Sequence, residues 1–155
     1  MQHIDFMNKY NVFEYTNPQL IIDEKHNYVV TIKPGDVDMN ILGINFAVTG
    51  DLCHLTLNED FDPSAYSSIP YEPMAHNRYY NETSKIKIGT LSGVIRDGIK
   101  DGKVLFNRST ISEWNMKDYE IQGWTLNKYK KYAFIVGTNA STKPSFNFSF
   151  FWNEV

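Results

Sequence analysis

The stretch SFNFSFFWN at residues 145–153 places Phe146, Phe148, Phe150 and Trp152 on one side of an extended chain and Ser145, Asn147 and Ser149 on the other. Side chains alternate across a strand, so this period of two specifies a strand with one buried face. It also fixes the register, because a slip of one residue would turn every ring toward water. Tyr132, Phe134 and Val136 alternate in the same way, and the turn-rich GTNASTKP at 137–144 between the two runs predicts a C-terminal antiparallel pair.

The same period recurs upstream. Tyr28, Val30 and Ile32 alternate up to Pro34-Gly35, a turn signal in which Pro presets φ and Gly permits positive φ. A long strand is expected over 37–48, with Gly43 as a bulge or bend where Ile41 gives way to Ile44, Phe46 and Val48. Gly50-Asp51 closes it, and Cys53, Leu55 and Leu57 alternate on the return. Cys53 is thereby predicted to be a buried core thiol, with His54 facing solvent. Shorter strands are expected at 85–91, 103–106 and 119–126.

Two segments break the pattern. Three prolines, Pro63, Pro70 and Pro73, interrupt residues 58–82, which read as a long irregular loop of the kind that carries contacts. Residues 1–18 only half fit a helical stripe, and Asn17-Pro18 would end any helix there, so this segment is either an N-terminal arm docking elsewhere or the first strand. The expected fold is all-β: one antiparallel β-sandwich, jelly-roll-like, of about eight strands over residues 19–155, with that N-terminal segment and one long loop.

Composition narrows the function. Ten Tyr, ten Phe and three Trp in 155 residues that are only 21% charged exclude intrinsic disorder. A net charge of −3 gives no global positive field for nucleic acid. A single cysteine excludes an internal disulfide and a Cys-based zinc framework within one chain. Residues 1–15 do not read as a signal peptide, and no apolar run reaches membrane-spanning length. Asn-x-Ser/Thr sequons begin at Asn81, Asn107, Asn139 and Asn147, and abundant Asn and Ser account for them by chance.

No catalytic constellation stands out. His3, His26, His54 and His76 occupy unrelated contexts, with no i, i+4 pair to hold zinc. Glu59, Asp60, Asp62, Glu72, Glu82, Asp97 and Asp101 read as solvated carboxylates, although a two-carboxylate glycan hydrolase is the enzymatic alternative. A nucleophile elbow is absent, the nearest text being Gly89-Thr90-Leu91-Ser92-Gly93, and neither a P-loop nor a dinucleotide fingerprint occurs. Lys128, Lys130 and Lys131 form a small basic cluster that reads as a solvated edge. The expectation is therefore a non-enzyme without metal or cofactor. Tyr66, Tyr71, Tyr79 and Tyr80, which no alternation claims, are its expected partner-binding residues, and Trp124 and Trp152 belong to the core.

The order of features resembles small tailed-phage virion accessory proteins: capsid decoration, head-fibre or tail-associated β-sandwich domains. The resemblance is carried by I-x-G-I-x-F-x-V-x-G at residues 41–50, His76-Asn77-Arg78, Trp124-Thr125-Leu126, the Tyr-containing strand 132–136, and Phe150-Phe151-Trp152-Asn153-Glu154. It implies a structural virion protein on the capsid surface, made in the host cytoplasm and bound to the major capsid protein or another virion protein. A homo-oligomer is implied, a trimer on local threefold axes being one arrangement. Asn77 and Arg78 would brace loop backbone, and Glu154 would pair with a cation. The alternative partner is a glycan, bound by a jelly-roll module for host attachment.

Overall fold

The computed structural model describes residues 12–61, 69–71, 74–75, 83–94, 102–116 and 125–155. Among these, every regular element is a strand: β1 (Phe13–Thr16), β2 (Leu20–Ile21), β3 (His26–Lys33), β4 (Met39–Thr49), β5 (Cys53–Glu59), β6 (Ile69–Tyr71), β7 (Met74–Ala75), β8 (Lys87–Val94), β9 (Lys103–Thr110), β10 (Glu113–Met116), β11 (Thr125–Leu126), β12 (Tyr132–Gly137) and β13 (Ser145–Glu154). They form two antiparallel sheets. The first runs β10-β4-β13-β1-β7, with β11 on β4 and β2 on β13; the second runs β6-β8-β3-β12-β5-β9.

The pairing follows a rolled hairpin. First and last strands pair (β1 with β13), then β3 with β12, β5 with β9, and β4 with β10. Rolling brings β4 beside β13 and β5 beside β12. This is the eight-stranded, two-sheet jelly roll. β6, β7 and β8 come from the segment between β5 and β9 and extend both sheets: β8 and β6 beyond β3, β7 beyond β1.

Two expected hairpins are not formed. β12 and β13 lie in opposite sheets, as do β4 and β5. Both edges of β12 are taken by β3 and β5, and both edges of β13 by β1 and β4, so these consecutive strands meet through their apolar faces instead. Phe134 of β12 lies 5.0 and 4.9 Å, centroid to centroid, from Phe148 and Phe150 of β13. Offset and edge-to-face contacts of this kind contribute about 0.5–1.5 kcal/mol each beyond area burial.

The expected irregularity at Gly43 is present. Phe151 pairs with Gly43 but Trp152 pairs with Ile41, leaving Leu42 as the extra residue of a bulge. Ile41 and Ile44, three apart, thereby both reach the core. On the other side of β13, β1 and β2 act as one strand interrupted at residues 17–19. Pro18 cannot donate a backbone hydrogen bond, and Asn17 bridges the gap: its N–H donates to the Phe148 carbonyl at 3.2 Å and its Oδ1 accepts from Phe148 N at 3.1 Å. Residues 13–16 of the N-terminal segment are thus a sheet strand, and residues 1–11 lie outside the described part.

Alternation underestimates burial in the second sheet. Val29 to Ile32 and Tyr132 to Val136 are buried without a break. Their outward-facing members, Val29, Ala133 and Ile135, join Leu91 and Phe61 in a second apolar cluster on the far side of the sheet from the main core.

Phe134→Ala should lose about 3–5 kcal/mol of unfolding free energy, because the cavity would open against Phe106, Phe148 and Phe150. Asn147→Ala, on the exposed face of β13, should stay within about 0.5 kcal/mol of the parent in the same urea titration.

Candidate functional site

Of the residues singled out in the sequence, Tyr66, Tyr79, Tyr80, Asn77, Arg78 and Trp124 lie outside the described part. Tyr71 is placed by its backbone in β6, opposite Ile88 of β8. Trp152 is buried, its ring 5.9 Å from Phe13 and 5.3 Å from Phe150.

Glu154 follows it on β13. One carboxylate oxygen accepts from Trp152 Nε1 at 3.1 Å and Ser84 Oγ at 2.6 Å, and the other from Lys85 N at 2.7 Å. The carboxylate therefore ties the end of the first sheet to the chain entering β8 of the second. Its described partners are the neutral donors of Trp152, Ser84 and Lys85.

Among the described residues the titratable groups with resolved partners form separate small pairs. His54 Nδ1 lies 2.6 Å from Ser109 Oγ, and its other ring nitrogen faces the Asn139 amide nitrogen at 3.5 Å. Glu59 accepts a hydrogen bond from Lys130 Nζ at 2.9 Å, which holds its pKa below the usual value; the same contact raises that of Lys130. Asp23 is lowered by its hydrogen bond to His26. No group of three His, Cys, Asp or Glu side chains able to hold a metal ion occurs among the described residues. A cleft of about 130 Å³ between β2 and β3, lined by Leu20, Ile22, Tyr28 and Phe146 among others, is well below the roughly 300–1,000 Å³ of a small-molecule site.

An arginine and two aromatic rings gather at the short connection between β9 and β10. β9 ends the second sheet and β10 ends the first, so this connection crosses between the sheets at one side of the sandwich. Phe106 packs 5.8 Å from the half-buried Trp114, and the Arg108 guanidinium sits 5.9 Å from the Phe106 centroid and 5.8 Å from that of Trp114. Arg108 Nη1 also donates to the Asn107 carbonyl at 2.9 Å. Ile111 at the turn is 67% exposed and Val104 on β9 is 54% exposed.

Val104 faces water because Leu57 pairs with Phe106 whereas Asn58 pairs with Val104, making Leu105 a bulge residue. No described strand pairs with the outer side of β9. Sequence reasoning missed this group. The available signal was Val104-Leu105-Phe106, three adjacent apolar residues that one strand face cannot accommodate.

Cys53 is fully buried on β5, as alternation predicted. Burial, with a smaller contribution from the charge of Asp51, pushes its thiol up to about 11 from 9.0. Between those values the folded protein keeps a proton that the unfolded chain has lost, so this contribution to stability falls as pH rises from 9 toward 11. The stability difference between the parent and Cys53→Ala, followed by urea unfolding, should accordingly shrink across that window and stay flat below it.

Compared with known proteins, the chain matches no family model, no curated protein and no solved structure.

Proposed function

We propose that the protein is a non-enzymatic virion component of a tailed bacteriophage, a capsid-decorating jelly roll that binds the major capsid protein. The observation that carries this reading is the β9–β10 connection: an arginine set over two aromatic rings, with Ile111 exposed at the turn and Val104 exposed farther along β9, a strand with no described neighbour along its outer side. Arg and Trp are the residues most enriched in the energetic centres of protein interfaces. A free strand edge is a surface that a partner chain can extend.

The fold is compatible with that role. Double-sheet jelly rolls build viral capsid and lectin domains. The motifs that carry the resemblance fall on core strands: residues 41–50 largely on β4, 132–136 on β12 and 150–154 on β13. Attachment in many symmetric copies lowers the affinity each contact must supply.

Cosedimentation with capsids of the phage that encodes the chain tests the reading. Trp114→Ala and Arg108→Ala should each weaken binding by about tenfold or more, the scale of an interface hot spot, while near-ultraviolet circular dichroism remains that of the folded parent. A parent protein that stays in the supernatant, or folded variants that bind as the parent does, would overturn it.

A further inference from the structure

A second surface arises from register alone. Lys33 of β3 pairs directly with Lys87 of β8, and Tyr132 of β12 pairs with Ile32, so Lys131 stands one position beyond, beside Lys33. Ile32, Ile88 and Tyr132 face the core, and alternation turns Lys33, Lys87 and Lys131 to the outer face, where all are exposed. They form a row across three adjacent strands, with ammonium groups on neighbouring strands that lie about 4.8 Å apart. Like charges directly opposite each other destabilise a sheet.

No carboxylate forms an ion pair with these lysines among the described residues. The nearest in register is Asp60, whose N–H donates to the Lys131 carbonyl at 2.8 Å. Lys130, by contrast, is held by Glu59.

Tyr129 lies two residues before Lys131, and its backbone is bonded to the turn that follows Lys33. It is 77% exposed, and its φ of 66° is a left-handed conformation that is costly for a residue with a side chain. The turn around it is held at several points. Tyr129 N donates to the Gly35 carbonyl at 2.7 Å, Lys128 N to Asp38 Oδ1 at 2.8 Å, and Asn127 N to the Tyr132 hydroxyl at 2.9 Å. Gly35 follows Lys33 by two residues, and a Cβ there would lie 3.8 Å from the carbonyl of Lys85, so the approaches to all three strands converge at this end.

We infer that the row formed by Lys33, Lys87 and Lys131, with Tyr129 beside it, binds an acidic polysaccharide, the ammonium groups holding carboxylate or sulfate and the ring stacking on a sugar face. Lysine is depleted from protein interfaces, which sets this surface apart from the β9–β10 connection. The inference stands independently of the capsid reading.

Titration calorimetry of the full chain at low salt, with a heparin-derived oligosaccharide, an oligogalacturonate and neutral dextran, tests it. One or both acidic chains should bind and dextran should not. Lys33→Gln, Lys87→Gln and Lys131→Gln should each weaken binding about fivefold, the scale of one lysine facing an anionic surface. Lys143→Gln, in the β12–β13 connection, should leave binding unchanged. Tyr129→Gly suits the left-handed backbone, so the loss of affinity expected from it is not a loss of fold. The inference is overturned if neither acidic chain binds, if the three lysine variants bind as the parent does, if Tyr129→Gly binds undiminished, or if single-stranded DNA or polyglutamate binds as tightly as the saccharides.

Discussion

The inward face of β13 is the constraint on which the rest of the structure depends. Phe146, Phe148, Phe150 and Trp152 are each about 1% exposed or less, and their rings meet Tyr15, Tyr28, Phe46 and Phe134 from β1, β3, β4 and β12. One strand therefore touches both sheets at once, edge to edge within its own and face to face across the core. This strand organises the sandwich, and many of its contacts are long in sequence, as the pairing of Phe13 with Trp152 shows. At its end Glu154 converts that position into a tie between the sheets, and at its middle the Asn17 side chain accepts the Phe148 N–H where the β1–β2 edge is interrupted.

How much of this was legible depended on what kind of information each feature carries. Strand existence and facing are local, so the alternation at Phe146 to Trp152, the burial of Cys53 and the bulge beside Gly43 could be read directly. Partnership is not local. The turn between Tyr132–Gly137 and the last strand looks like a hairpin connection, yet it crosses from one sheet to the other. Nothing in residues 137–144 records that β12 already has β3 and β5 at its sides. Likewise Ala133 and Ile135 read as outward positions and are buried, because a second cluster containing Phe61 covers the far side of that sheet.

The candidate surfaces were illegible for the same reason. Lys33, Lys87 and Lys131 are far apart in the chain and unremarkable singly; only register sets them in a row. Arg108, Phe106 and Trp114 come from two strands that end different sheets, and only the fold brings them together. Nothing in the chain around Tyr129 announces its left-handed backbone. The aromatic excess of the composition thus divides. Most described rings build the core, while Trp114 and Tyr129 are partly or largely presented to solvent on separate surfaces.

On this account the core sets a platform that carries two surfaces: an arginine–aromatic corner proposed for a protein partner and a lysine row proposed for an acidic one. The central claim is that the platform is a repeated part of a virus particle. Quantitative mass spectrometry of purified particles of the encoding phage, counting this chain against the major capsid protein, tests that claim most directly. The account predicts a copy number that scales with the capsid lattice; particles that lack the chain would contradict it.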